Sequence, residues 1–521
     1  MSTTESGREA ASPAASAPDP QGLDRGLLLV ASCVVLGAIM SILDVTVVNV
    51  ALPTLVQTFD SNLATIQWVA TGYTLALATV IPLTGWGADR FGTKRLYMTS
   101  ILLFVIGSVL SGLAWNDTSL IFFRVLQGLG GGMVMPAGMT ILTRAAGPQR
   151  LGRVMAVMGV PMLLGPILGP ILGGWLVQDF DWRWIFFINA PIGALALTMS
   201  FRILPKDVPT PGHQLDWLGL ALLSPGLALL IYGLAESSEK SGFGHAIVLV
   251  PMIAGAVLLA LFVGHALRKG DDALIDLRLF TNRVFAASSA TMLLMIISVF
   301  GGMLLLPLYL QQVRGEGALH TGLLLAPQGL GAMIAMPIAG TLVDRTGVGR
   351  VAPFGLLAVA ISFVGLTRIA ADTSYWELSG YLFLMGVGMG FSMMPLMTGA
   401  MQTLRSAAVA KASTTLNIIQ QAGSSIGTAV MVVILTAAIK DRIPGGSTSG
   451  GAAASPDPQQ ADPSVVQKML GLLADAFGHT FWWAAGLVVL AFLVAVVVLP
   501  KRKPPVSDED AAEMQAHMMM G

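Results

Sequence analysis

The sequence predicts an all-α polytopic membrane protein with fourteen spans: two pseudo-symmetric six-helix bundles and two additional central helices. Three observations carry that expectation. The 521 residues are 54% hydrophobic and only 11% charged, where a soluble domain is ~25% charged. Apolar runs of ~20 residues recur along the chain, each long enough to cross a bilayer at ~1.5 Å per residue. A loop sequence also occurs twice. Gly85–Arg95 reads GWGADRFGTKR and Gly340–Arg350 reads GTLVDRTGVGR, with Gly, Asp-Arg, Gly and the last Arg in register. Repeats of this kind mark transporters built from two related halves.

The elements follow in order. Residues 1–26 are Ser/Ala/Pro-rich and read as a disordered tail. They lack a basic stretch and a small-residue cleavage site, so no signal peptide is expected. Spans are expected at 27–52, 63–86, 96–114, 118–143, 152–177 and 184–204, the first bundle. The additional pair falls at 215–235 and 246–267, within 205–267. A charged linker, 268–284, leads to the second bundle, 285–499, with spans at 285–312, 319–343, 351–371, 376–399, 408–439 and 480–499. Within it, 441–479 is a long loop. It opens on a low-complexity stretch. Its end, Val465–Phe477, sets Val465, Met469, Leu472, Leu473 and Phe477 on one helical face. A short interfacial helix and packing on the bundle both fit that pattern. Residues 500–521 form a second tail. Lys and Arg gather in alternate connections, from Arg90–Arg95 through Arg144–Arg153 to Lys501–Lys503. They are about threefold scarcer in the others, which puts both termini in the cytoplasm of a plasma (inner) membrane protein.

Composition excludes several functions. A net charge of zero gives no electrostatic case for nucleic acid. The single cysteine, Cys33, permits no disulfide framework, and the six His are scattered, without metal-ligand spacing. No phosphate-binding loop and no hydrolytic triad or zinc motif occurs, so neither ATP, a cofactor nor enzyme chemistry is expected.

The residues that carry chemistry are polar groups inside apolar runs. Asp44 lies well within the first span, and a buried Asp costs a spanning helix ~2.5–3.5 kcal/mol on insertion scales. Arg124, in the fourth span, comes out at a similar depth, so the two are expected to pair. Desolvation favours the neutral acid and a close guanidinium favours the carboxylate. A bundle that changes their separation can therefore load and release a proton; a static structural pair is the alternative. Gln127 lies on the same side of that span as Arg124.

The repeated loop offers a gate. Gly85, Asp89, Arg90, Gly92 and Arg95, matched by Asp344 and Arg345, put an acid at the end of a span where basic topology alone does not require one. Such an acid can latch on a neighbouring helix N-terminus. In the fifth span Gly165, Gly169 and Gly173 share a face, with Gly174 beside it, and Pro166 and Pro170 interrupt the helix. Packing in a kinked helix and a sliding seam between the bundles are both open. Candidate cavity residues are Asn49, Gln67, Trp68, Tyr73, Gln127, Gln311, Gln312, Asn417, Gln420 and Gln421. A methionine stripe, including Met389 and Met393, suits varied apolar ligands or simple core filling.

These stretches resemble the major facilitator superfamily, in particular its fourteen-span drug:proton antiporter family. GWGADRFGTKR resembles the superfamily's loop motif, RVLQGLGGG its fourth-span motif and GPILGPILGG its antiporter motif. LDVTVVNVALP (Leu43–Pro53) and WRWIFFINAPIG (Trp182–Gly193) resemble signatures of the fourteen-span family. The resemblance implies that Asp44 is the proton-coupling acid, Arg124 its partner, Asp89 the latch and the fifth-span Gly/Pro run the antiporter seam. It implies a proton-coupled exporter of small amphipathic substrates working by alternating access, with protons and the bilayer as its other partners. The late spans carry no further acid except Glu377 at an edge, which departs from exporters of dications. An endogenous metabolite or lipid as cargo, or a sensor or channel, are the alternative readings.

Overall fold

A computed structural model describes residues 25–61, 63–205, 215–239, 243–270, 273–402, 404, 408–442 and 463–500. They are helical almost throughout, with no strand among them. The first bundle holds α1 (Arg25–Thr58), α2 (Leu63–Val80), α3 (Leu83–Phe91), α4 (Thr93–Gly112), α5 (Asp117–Asp179), α6 (Trp184–Phe187) and α7 (Asn189–Ile203). The additional pair is α8 (Trp217–Glu239) and α9 (Ala246–Lys269). The second bundle holds α10 (Arg283–Gln312), α11 (Ala318–Thr346), α12 (Val348–Leu366), α13 (Tyr375–Gln402), α14 (Val409–Arg442) and α15 (Pro463–Val498).

Among the described residues twelve helices are long and apolar enough to cross a membrane, and thirteen if one bent pair counts as a single span. That pair is the expected second span. Its axis turns by 56° between α2 and α3, where Pro82 brings no N–H to continue the ladder. The remaining expected span, 152–177, lies in the second half of α5, where many side chains fall outside the described residues.

α5 is assigned as one helix, yet it runs past α1 twice in opposite directions. In its first half Arg124 meets Asp44 and Gly138 faces Val34. In its second half Gly165 faces Ile42, Gly169 faces Thr46 and Gly173 faces Val47. The chain therefore folds back between Gly138 and Gly165. The start of α5 is fixed by a capping box. The Asn116 side chain accepts from the Ser119 N–H at 2.7 Å, and the Ser119 hydroxyl accepts from the Asn116 N–H at 3.2 Å. That cap sets the depth of Arg124, two turns further in.

The repeat is visible in the backbone. Gly92 joins α3 to α4 at φ 88°, ψ 145°, and Gly347 joins α11 to α12 at φ 88°, ψ 158°. Side chains rarely adopt this region, so both loops need glycine at the same place.

Two connections that the sequence left open are resolved. The stretch from Val465 to Phe477 is not a separate interfacial helix but the first turns of α15, continuous with the last span. Leu473 and Phe477 are buried in the core, and that burial holds the helix onto the bundle. The linker is also fastened along part of its length. α9 runs on to Lys269, a 3-10 turn covers Leu277–Thr281, and the Asn282 side chain caps α10 through the Val284 and Phe285 N–H groups. Asp216, just before α8, accepts from Lys269 Nζ at 2.9 Å and from the backbone N–H of Gly219 and Leu274, and lies 2.9 Å from His265 Nε2.

α8 packs against α2 on one side and α14 on the other. Its Ser224 hydroxyl donates to the Thr79 carbonyl at 2.7 Å, and Tyr232 stacks on Trp68 with centroids 5.8 Å apart. Ile418 of α14 packs on the cluster that holds Leu223, Leu227 and Phe262. Elsewhere the bundles touch directly. α5 lies along α11, Ser413 Oγ donates to the Pro136 carbonyl at 3.1 Å, and Thr143 Oγ1 lies 3.5 Å from Met401 Sδ.

Candidate functional site: a buried acid beside a central cavity

Four helices bring their polar side chains to one point in the first bundle, and α2 and α6 add backbone carbonyls. Asp44 of α1 is 2% exposed and Arg124 of α5 is 1% exposed. Arg124 Nη1 lies 2.6 Å from Asp44 Oδ2 and 2.7 Å from Gln127 Oε1, and Nε donates to the Val69 carbonyl at 3.1 Å. Gln127 Nε2 donates to Asp44 Oδ1 at 2.8 Å. Asn189 Nδ2, from α7, donates to the same oxygen at 3.1 Å and to Ser108 Oγ of α4 at 3.0 Å. Ser108 in turn donates to the Phe186 carbonyl.

Every neighbour of Asp44 in this set is a donor, which is the environment of a carboxylate. The guanidinium is held between rings. Its Cζ lies 4.2 Å from the Tyr73 centroid and 5.6 Å from that of Phe186. A desolvated contact of this kind is worth ~2 kcal/mol. Removing one partner of such a buried pair costs ~3–5 kcal/mol, because the other charge is then stranded.

Next to this network, where α1, α2 and α5 face α10, α13 and α14, is a cavity of about 290 Å³. Its first-bundle wall includes Ser41, Val45, Tyr73 and Gly131. Its second-bundle wall includes Phe300, Met389, Met393, Asn417, Gln420 and Gln421. The wall is apolar over most of its area, with amides and hydroxyls spaced around it, as ligand sites generally are.

The expected residues fall out as follows. Asp44, Arg124 and Gln127 form the buried network, while Tyr73, Asn417, Gln420 and Gln421 line the cavity. Asn417 also donates to the Ser413 carbonyl at 2.8 Å. Trp68 is away from the cavity, stacked on α8. Gln311 and Gln312 end α10 and do not line the cavity. The side chains of Asn49, Gln67, Pro166, Pro170 and Asp344 lie outside the described residues.

Gly165, Gly169 and Gly173 face α1, within the first bundle, rather than the second bundle. A methyl on Gly165 would overlap Ile42, one on Gly169 would overlap Thr46, and one on Gly173 would come within 3.1 Å of Val47. Thr46 Oγ1 donates to the Gly165 carbonyl at 3.2 Å, close beside Asp44. A methyl on Gly174 meets nothing. In the repeated loop Gly85 and Gly92 are buried, and Arg90, Arg95 and Arg345 are exposed. Asp89 lies 3.9 Å from Arg144 Nη2, and Arg144 Nη1 donates to Thr93 at 3.0 Å. Sequence reasoning missed Asn189 and Ser108. Asn189 was within reach, as the only amide in the Trp182–Gly193 signature.

Two like-built helical bundles around a cavity, with a buried acid–guanidinium pair at its edge, define a membrane transporter. The chain belongs to the Major Facilitator Superfamily, which it matches over residues 34–428. It is 45% identical over 497 residues to the Multidrug resistance protein B homolog of Mycobacterium tuberculosis, covering 93% of this chain and 92% of the relative. It is 30% identical over 496 residues to the Multidrug export protein EmrB of Escherichia coli, covering 92% and 96%. Relatives of these names stand in the antiporter branch that the motifs suggested. Among solved structures, the human organic anion transporter MFSD10 matches with a TM-score of 0.60 at 16% identity, covering 91% of this chain and all of that one. The proton:xylose symporter XylE matches at 0.58 and 15%, covering 94% and 98%. At these identities the two share the fold.

Proposed function

We propose that this protein is a proton-coupled exporter of small amphipathic organic molecules, working by alternating access to the central cavity. The observation that carries the reading is Asp44, buried among donors one residue from Val45 on the cavity wall. A proton arriving on Asp44 finds no acceptor facing it in this set. Protonation must therefore turn Arg124, Gln127 or Asn189 away, which links proton loading to a rearrangement where α1, α5 and α7 meet. Relatives named for multidrug resistance and multidrug export support the cargo class.

In this reading the membrane is the plasma (inner) membrane, both termini are cytoplasmic, and Asp89 with Arg144 serves as a latch on the cytoplasmic side. The close-packed Gly165–Gly173 face lets the second half of α5 slide on α1 as Asp44 changes state.

The test is Asp44→Asn in proteoliposomes with an imposed pH gradient and a panel of amphipathic dyes and antibiotics. The expected result is folded protein with substrate-driven proton movement abolished. Undiminished proton-coupled efflux in that variant would refute the reading.

A further inference from the structure

Tyr73 both lines the cavity and touches Arg124. Its ring lies under the guanidinium, and its hydroxyl is buried without a hydrogen-bond partner. The Ser41 hydroxyl, on the same wall, is likewise buried and unpartnered. Buried hydroxyls normally find partners, so two orphans on residues of one cavity wall point to polar groups that a ligand supplies once it enters. Gly131 belongs to the same arrangement, since a methyl there would sit 2.7 Å from the Tyr73 oxygen.

We propose that Tyr73 is the positioning residue through which cargo in the cavity controls the Asp44–Arg124 pair, and that this cargo is an uncharged amphipath whose hydrogen-bond acceptor takes the Tyr73 hydroxyl. The inference deepens the proton-coupled reading and rests on it. The cavity wall carries no ionisable side chain other than Tyr73 among the described residues, and its area is mostly apolar. A charged cargo would be left there without a counter-ion.

The control follows from the geometry. Cargo bonded to the hydroxyl and seated against the ring keeps Tyr73 over Arg124. Arg124, with Phe186 on another side and Val69 and Gln127 holding its nitrogens, then stays on Asp44. A carboxylate so held does not accept a proton. With the cavity empty, the Tyr73 ring is free to turn into it and Arg124 gains room to withdraw. Cargo and proton therefore exclude each other through one aromatic ring. The charged and titratable groups packed around Arg124 are Asp44 from α1 and Tyr73 from α2. α4, α6 and α7 present Ser108, Phe186 and Asn189 there.

The test is equilibrium binding of radiolabelled chloramphenicol and tetraphenylphosphonium to the full chain across about pH 5.5 to 8.5. Neither probe titrates in this range; the first is neutral with carbonyl and nitro acceptors, and the second is a cation with none. Wild type is expected to bind chloramphenicol more tightly, with Kd rising up to tenfold per unit of falling pH once Asp44 takes its proton. Tyr73→Phe keeps the ring and should weaken chloramphenicol about fivefold at every pH with the slope intact. Gly131→Ala should weaken it similarly. Tyr73→Leu removes the ring and should flatten the slope, and Tyr73→Phe serves as its rescue and its check on folding.

A slope that survives in Tyr73→Leu overturns the positioning role, as does a slope lost already in Tyr73→Phe. Preference for tetraphenylphosphonium in wild type overturns the cargo class. A wild-type profile that is flat, and matched by Asp44→Asn, sinks the proton-coupled reading itself and is thereby told apart from failure at Tyr73.

Discussion

Asn189 Nδ2 reaches Oδ1 of Asp44 at 3.1 Å, the oxygen that Gln127 also holds. The sixth expected span thus reports directly on the carboxylate. Asn189→Leu keeps the branched shape of the side chain and removes this donor, leaving Ser108 short of one as well. A hydrogen bond to a charged group contributes ~1.5–3 kcal/mol, so the carboxylate form is favoured less. Under the proton-coupled reading, the pH dependence of transport should move toward higher pH. A pH–rate profile of Asn189→Leu checks this, and an unmoved profile would show that Asn189 is only a packing residue.

The face of α5 that meets α1 separates close approach from mere flexibility. Gly169→Ala forces a methyl into Thr46 and should destabilise the protein by ~1–3 kcal/mol. Gly174→Ala meets nothing, and replacing a helical glycine should be neutral or stabilising by ~0.5–1 kcal/mol. Thermal unfolding of the two variants in detergent should shift in opposite directions or by clearly different amounts. Equal shifts would show that the contact with α1 is not tight in solution.

Asp216 makes a prediction about acid. Burial pushes its carboxyl up, but hydrogen bonds from Lys269, His265 and the N–H groups of Gly219 and Leu274 together bring it below the usual carboxylate range. A depressed acid contributes stability that is fully present above its unfolded value of ~3.9 and is lost only as pH falls through the lower folded value. The fastening of the linker to α8 and α9 should therefore hold steady from about pH 8 to pH 5. Asp216→Ala should speed hydrogen exchange over Ala273–Thr281 about tenfold at neutral pH. Protection that fades between pH 7 and pH 5 in the wild-type chain would contradict the assignment.

The sequence made some of this site legible and left the rest obscure, for physical reasons. Asp44 and Arg124 were visible because an ionisable group in an apolar run has so few places to go. The loop repeat was visible because the backbone at Gly92 and Gly347 admits little else. Asn189 was harder, since an amide in a span is as often a simple interhelical bond, and its partner lies far away in the chain. Trp68, Gln311 and Gln312 were misleading for the same reason. Polar and aromatic residues near helix ends are at home in many settings. The glycine spacing in α5 announced a close neighbour but not which helix it was. The fold-back inside α5 and the fusion of Val465–Phe477 with the last span depend on tertiary packing that periodicity does not encode.

α8 sits as a filler between α2 and α14, while α5 and α11 touch without an intermediary. The two flanks of the molecule are therefore mechanically unequal. One is a direct joint between bundles; the other is a three-layer sandwich whose middle layer is pinned to α2 by the Ser224 hydrogen bond and the Trp68–Tyr232 stack. α3 and α5 also meet α14 directly, so α8 shares that flank with them. α8 is thus a spacer tied to the first bundle through the Ser224 hydrogen bond and the Trp68–Tyr232 stack, and α9 reaches the bundles chiefly through it.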